Sequence, residues 1–138
     1  MKYPETIMII DEDREDTEIF CDAVHEISPE IQCIEVREGV NALKTLSKDP
    51  VKPEYIFVDL NMTLINGRKW LSQVKKIVEL RDIPVIIYSA SKSPLDIQDA
   101  RIKGAAYYLP KQYRVSELKK MLSRLFKKKQ TNFLIGAS

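Results

Sequence analysis

The sequence is poor in the residues that would declare a chemistry by themselves. It holds two cysteines, Cys21 and Cys33, without the C-x-x-C spacing of a metal or redox site. They read as reduced thiols filling small apolar positions. His25 is the single histidine; it lies beside a helical apolar stripe and reads as a surface residue, not a phosphotransfer group. No window approaches the roughly 18 consecutive apolar residues of a membrane span. An apolar run starts at Thr6 with no signal-peptide pattern before it, so a cytoplasmic location and no membrane partner are expected. Charge of one sign is not in excess either. The 22 Lys and Arg against 20 Asp and Glu leave +2, which does not mark a nucleic-acid binder. The basic end, Lys127-Lys128-Lys129, reads as a complement to a helix C-terminus, since no nucleic-acid-reading motif accompanies it. Repeats, linkers and low-complexity stretches are absent, and 138 residues suit one domain.

What is present is an alternation of two periods. Thr6 to Ile10, Tyr55 to Val58 and Val85 to Tyr88 are short apolar runs without period-2 alternation, as in strands buried on both faces. Ile31 to Val36 and Ala105 to Leu109 are weaker strand candidates. Between them the period becomes 3.6. Ile19, Phe20, Ala23, Val24 and Ile27 form one stripe; Trp70, Leu71, Val74, Ile77 and Val78 another; Leu118, Met121, Leu122, Leu125 and Phe126 a third. Val40, Leu43 and Leu46 mark a shorter helix, and Ser93-Pro94 a helix start before a segment with a thin apolar face. Five β-α units imply a parallel sheet with helices on both sides. Residues 130–138 read as a short tail, left open between docked and mobile.

The polar residues fall where such folds bind ligands, at the carboxyl ends of strands. Asp11 and Glu12 follow the first strand, Asp59 the third, Ser89 the fourth and Lys111 the fifth. Two carboxylates about 5 Å apart at an effective dielectric of about 20 repel by roughly 3 kcal/mol. A group of three therefore takes up protons or binds a cation. Carboxylate oxygens at this spacing suit Mg²⁺. A carboxylate beside Mg²⁺ and a lysine can attack phosphorus to give an aspartyl phosphate, with Ser89 donating to a phosphoryl oxygen. The acidic stretch Asp11 to Asp16 would repel a bound nucleotide or flavin phosphate. Within it, Asp13, Glu15 and Asp16 read as a solvated helix start favoured by the helix dipole.

The segments IMIIDEDRED, YIFVDLNMTLINGRKWL, PVIIYSAS and GAAYYLPK, in this order, resemble those of bacterial response-regulator receiver domains of the chemotaxis type, over about residues 5 to 128. The resemblance implies a flavodoxin-like doubly wound (βα)5 sandwich with a five-stranded parallel sheet in order 2-1-3-4-5. It implies a receiver domain at 1–129 and a tail at 130–138. Asp59 looks like the phosphoacceptor, with Asp11, Glu12, Asp59 and the backbone carbonyl of Asn61 holding Mg²⁺. Lys111 looks like the lysine that pairs with the phosphoryl group. Ser89 and Tyr108 look like the switch pair, with Tyr108 turning inward as Ser89 moves, and Asn61 and Ser91 like the positions that tune dephosphorylation. A sensor histidine kinase or histidine phosphotransfer protein would be the donor, and a downstream protein would read helix 4, strand 5 and helix 5. The chain would be a monomer or weak homodimer, and not a turnover enzyme.

Three positions depart from the family pattern. Glu12 replaces the more usual Asp, Thr63 stands where proline is usual, and Gln112 follows Lys111 where proline is usual. A cis bond before a non-proline residue costs about 2.5–4 kcal/mol, so Lys111-Gln112 is expected trans, with Lys111 slightly displaced. Two other readings stand beside the first. One is a pseudo-receiver that binds partners without being phosphorylated. The other is a phosphatase of the haloacid-dehalogenase type, whose D-x-D-x-T box Asp59-Leu60-Asn61-Met62-Thr63 resembles; but Asn61 replaces the general acid, and Asp59 follows the third strand instead of the first.

Overall fold

A computed structural model describes residues 3–136. The elements run β1 (Thr6–Ile10), α1 (Arg14–Ile27), β2 (Gln32–Val36), α2 (Gly39–Lys48), β3 (Tyr55–Val58), α3 (Gly67–Val74), β4 (Val85–Ser89), α4 (Pro94–Ile102), β5 (Tyr107–Pro110) and α5 (Val115–Phe126). All strand pairs are parallel and the sheet order is β2-β1-β3-β4-β5. The expected flavodoxin-like architecture is therefore the one observed.

The apolar runs are continuous because both faces of each central strand are covered. Met8, Ile10, Ile56, Val58, Val85, Ile87 and Tyr108 face the helices α2, α3 and α4. Ile7, Ile9, Phe57, Ile86, Tyr88 and Leu109 face α1 and α5. The 3.6-period stripes supply the helix side of these layers, with Trp70, Leu71 and Val74 in the first and Phe20, Val24, Leu118 and Leu122 in the second. The α3 stripe is shorter than its sequence suggests. The helix ends at Val74, the chain turns, and Val78 is exposed. Ser93 stands at the N-cap of α4 with Pro94 at the first turn, but its side chain makes no capping bond.

The tail docks. Residues 133–135 lie along the free edge of β5, where Leu134 forms a parallel bridge with Tyr108. Ala137 and Ser138 of the expected tail, and Met1 and Lys2 of the expected domain, lie outside the described residues. Among the described residues, no helix is long and apolar enough to cross a membrane.

Candidate functional site

The connection out of β1 passes over one face of the sheet and that out of β3 over the other. Between their ends opens the crevice where such sheets bind ligands. Asp11 and Asp59 lie there, one residue beyond Ile10 and Val58, which pair with each other in register. Asp59 N–H donates to the carbonyl of Ile10 at 3.0 Å, tying the two strand ends together. Lys111 follows β5, and its N–H donates to the carbonyl of Ser89 at 2.8 Å.

Lys111 is the centre of the charge cluster. Its Nζ lies 2.7 Å from Asp16 Oδ2, 2.8 Å from Asp11 Oδ2 and 3.3 Å from Asp59 Oδ2. It also sits 5.5 Å from the centre of the buried Tyr88 ring. Burial alone would lower the pKa of this ammonium, but the Asp11 and Asp16 carboxylates set against it, with the charge of Asp59, more than offset that and hold the lysine charged. The Lys111-Gln112 peptide is trans, as expected, since no described peptide bond is cis. The lysine still reaches Asp59.

Asp59 is buried, at 7% exposure. Burial, and next the charge of Asp11, push its carboxyl up to about 6, against the opposing pull of Lys111 and the Asn61 N–H. That N–H donates to Asp59 Oδ1 at 3.3 Å. One ammonium among three carboxylates leaves a net negative crevice. Asp11 shows the same shortage: Oδ1 accepts from the Asp13 N–H at 2.9 Å, while the buried Oδ2 touches Lys111 without the alignment of a hydrogen bond. A buried carboxylate oxygen lacking an aligned donor, beside a second carboxylate, fits a divalent cation.

Glu12 is placed differently from its expected partners. Its carboxylate turns to the loop after β3, accepting from the Thr63 N–H at 2.9 Å and from the Thr63 hydroxyl. Among the described residues, no group of three acidic, histidine or cysteine side chains stands ready as a metal cage. Asp11 and Asp59 both turn into the crevice, where they share Lys111, whereas Glu12 is turned away to Thr63.

Ser89 is fully buried, and its Oγ accepts from the Ser91 N–H at 3.1 Å. The Ser91 hydroxyl donates to Asp96 Oδ2 at 2.6 Å, inside the first turn of α4. Asp96 in turn pairs with Arg68 of α3. The Ser91 hydrogen bond, with a smaller contribution from Arg68, lowers the Asp96 carboxyl pKa. Tyr108 is fully buried, with its OH donating to the Ser91 carbonyl at 2.7 Å. Asn61 is exposed at the crevice rim.

Two residues of the site escape a reading of the sequence. Asp16 is a buried ion-pair partner of Lys111, not a solvated helix-start acid. Asp13 takes the cap role instead, accepting from the N–H groups of Glu15 and Asp16. Position supplies the signal for Asp16: one turn into α1, it lies under Lys111 and beside the buried Phe20 four residues on. The other residue is Gly67. A Cβ there would lie 2.3 Å from the Asp59 carbonyl oxygen, so only glycine lets the start of α3 pack on the Asp59 loop. Away from the crevice, the free thiols of Cys21 and Cys33 face each other with sulfurs 2.6 Å apart; this contact, together with burial, pushes the Cys33 thiol up. His25, exposed as read, is not without a partner, since its Nε2 lies 3.1 Å from the Ile31 carbonyl.

A doubly wound sheet carrying acids after β1 and β3 and a lysine after β5 is the arrangement of a receiver-type module. The chain matches the response regulator receiver domain family over residues 7–123, and it belongs to that family. It is 23% identical to response regulator Rcp1 of Synechocystis sp. over 124 residues, 86% of this chain and 84% of that protein. It is 33% identical to the two-component response regulator ORR3 of Oryza sativa over 93 residues, 67% of this chain and 70% of that one. Among solved structures, the phosphorylated cyanobacterial phytochrome response regulator RcpA aligns with TM-score 0.80 at 21% identity, over 96% of this chain and 99% of that one. The Mn²⁺-bound form of response regulator Rcp1 aligns with TM-score 0.77 at 22% identity, over 94% and 99%. At these identities the structural matches speak to the fold.

Proposed function

We propose that the chain is a phosphoacceptor response regulator in which Asp59 takes a phosphoryl group from a partner phosphohistidine. Residues 1–129 would form the receiver unit and 130–138 its tail. The observation that carries this reading is Lys111 Nζ, held at once against Asp11, Asp16 and Asp59 at the β1–β3 crevice. The matched family and the phosphorylated and Mn²⁺-bound relatives are consistent with it.

In this reading, an ionised Asp59 oxygen attacks phosphorus. The new O–P bond forms as the P–N bond to the donor imidazole breaks, and the departing ring keeps the electron pair and takes up a proton. Asp59 must be charged to attack; with its pKa near 6 it is mostly ionised at neutral pH and remains basic enough to be a competent nucleophile. Lys111 is already placed 3.3 Å from the reacting carboxylate, so its charge is available without reorganisation. Ser89 gives up the Ser91 N–H and donates to a phosphoryl oxygen. Asp11, Asp59, the Asn61 carbonyl and a released Glu12 would hold Mg²⁺, which when bound supplies positive charge against the phosphoryl oxygens. Asn61 and Ser91 would set how easily water reaches the acyl phosphate. The chain accepts and loses its own phosphoryl group and turns over no separate substrate. The donor would be a sensor histidine kinase or a phosphotransfer protein. Output would pass through α4, β5 and α5, where Leu95 and Ile102 of α4 and Tyr113 of the β5–α5 connection are exposed apolar groups on offer to a protein partner.

A pseudo-receiver is favoured by one observation, the engagement of Glu12 with Thr63. Intact mass after incubation with Mg²⁺ and acetyl phosphate, or with a beryllofluoride mimic, separates the two. A Mg²⁺-dependent adduct in wild type, lost in Asp59→Asn, supports phosphorylation. An unmodified wild type, both with these reagents and with a cognate phosphohistidine donor, leaves the pseudo-receiver.

A further inference from the structure

Strand β5 is an edge strand, and its outer N–H and C=O groups need partners. The chain supplies them from its own end. The Tyr108 N–H donates to the Phe133 carbonyl at 2.9 Å, and the Ile135 N–H donates to the Tyr108 carbonyl at 2.9 Å. Side chains fix this register from both sides of the sheet. Phe133 and Leu134 pack on the layer that contains Tyr108, and Ile135 is buried in the opposite layer. Arg101 of α4 lies 5.5 Å from the Phe133 ring centre. The segment thus behaves as a short peptide added to the sheet, with main-chain bonds for affinity and alternate side chains for register.

Its position on Tyr108 is the telling point. Both outward backbone groups of this residue belong to the tail, while its OH donates to the Ser91 carbonyl and the Ser91 N–H donates to Ser89 Oγ. A continuous set of hydrogen bonds therefore runs from the crevice wall to residues 133–135. The docked tail is found together with Tyr108 buried and its OH pointing inward.

We propose that the outer edge of β5 is a peptide-binding slot for the extended segment Phe133-Leu134-Ile135, and that occupancy of the slot and charging of Asp59 reinforce each other. The coupling rests on the phosphoacceptor reading above. Two backbone bonds and one fully buried side chain make a docking that can open locally without global unfolding. The tail holds the buried conformer of Tyr108. Drawing Ser89 toward a phosphoryl group gives up its bond to the Ser91 N–H but leaves the Tyr108 OH on the Ser91 carbonyl, and the space Ser89 vacates favours the inward ring, so each event strengthens the other by linkage. Any partner of the β5 edge must then compete with the tail or bind on top of it.

The test is amide exchange in the ¹⁵N-labelled full chain with Mg²⁺ and beryllofluoride, with bound ¹⁹F signal reporting loading independently. The expected result is exchange of the Ile135 amide at least several-fold slower in loaded wild type, and unchanged when the same reagents are added to Asp59→Asn. Unchanged or faster exchange in protein whose ¹⁹F signal proves loading overturns the coupling and leaves the phosphoacceptor reading intact. No ¹⁹F signal, together with no adduct from a cognate phosphohistidine donor, removes that reading and the coupling with it. The slot itself is tested with Ile135→Asp, which expels the tail, and a free peptide of sequence QTNFLIGAS. The peptide is expected to shift the Tyr107, Tyr108 and Leu109 amides saturably; no shift at millimolar peptide overturns the slot. Phe133→Ala, which removes only a partly buried ring, keeps the test usable if Ile135→Asp does not fold. It is expected to speed Ile135 exchange and slow loading several-fold.

Discussion

Asp16 holds the ammonium of Lys111 at 2.7 Å, closer than the 3.3 Å to Asp59 on the far side. The lysine is therefore anchored by a residue of α1 and presented to the crevice. Asp16→Asn keeps the shape and removes the charge. The expected outcome is a loss of roughly 1–3 kcal/mol in urea unfolding, because a buried ion-pair network loses one partner. Adduct formation at Asp59 should slow several-fold, since Lys111 is drawn toward Asp11. Equal rates in Asp16→Asn and wild type would separate the anchor from the chemistry.

Glu12 and Thr63 carry a second prediction. The carboxylate is held by the Thr63 N–H and hydroxyl, and leaving them is part of the cost of holding a cation. Thr63→Ala removes the hydroxyl and keeps the N–H. A hydrogen bond to a charged group contributes about 1.5–3 kcal/mol net, and less at this exposed site, where water replaces it. Mg²⁺ affinity measured calorimetrically should rise by about 2- to 10-fold in Thr63→Ala. An unchanged affinity would mean that Glu12 stays outside the coordination sphere. Glu12→Gln, in contrast, should weaken Mg²⁺ if Glu12 enters that sphere.

Gly67 supplies the third. A methyl group there would overlap the carbonyl oxygen of Asp59, a backbone atom with nowhere to go, and crowd Leu60 Cα at 2.9 Å. The Gly67 N–H also donates to the Leu60 carbonyl at 3.0 Å. Gly67→Ala must push α3 off the loop or displace the loop itself. Overpacking of this kind costs about 1–3 kcal/mol or more, so a lower urea midpoint is expected, with altered amide shifts at Asp59 and Asn61. A control at Gly104, where an added Cβ would meet only the Lys75 side chain at an ordinary 3.7 Å but whose φ is +99°, should show strain without any change at Asp59.

The fold was legible because its signals are physical repeats. Runs such as Ile7 to Ile10 are apolar throughout since both faces are covered, and Phe20, Val24, Leu118 and Leu122 recur at helical spacing because one face is. The positions of Asp11, Asp59, Ser89 and Lys111 at the ends of four strands follow from that pattern. Side-chain direction does not. Glu12 is adjacent to Asp11, yet it turns to a loop 51 residues away. Asp16 sits in a charged run that resembles a solvated helix start, and only the return of β5 brings Lys111 over it. The tail was ambiguous for the same reason. Phe133-Leu134-Ile135 is too short for periodicity to place, and its partner is a backbone edge that leaves no mark in the residue types. The α3 stripe overran its helix because Val78 keeps the apolar identity of the period after the chain has turned away.

Asp59 gives the last prediction, and its sign follows from proton binding. Its carboxyl stands near 6 in the folded, Mg²⁺-free protein, above the value of about 3.9 expected when unfolded. Between these values the folded state binds the extra proton, so stability is greatest below about pH 4 as far as this group is concerned. It is lost as pH rises through about 6. Burial and Asp11 are the causes, so the lost stability is of the order of 1–3 kcal/mol at pH 7–8. Asp59→Asn has no charge to desolvate. It should therefore be more stable than wild type at pH 7.5 without Mg²⁺, and the gap should close toward pH 4. Added Mg²⁺ should stabilise wild type and leave Asp59→Asn nearly unmoved, because the cation relieves the charge that the substitution removes. Urea midpoints for both proteins at pH 4.5, 6 and 7.5, with and without Mg²⁺, check each part. A gap that stays constant across this range would place the strain of the crevice on Asp11 and Asp16 instead of Asp59.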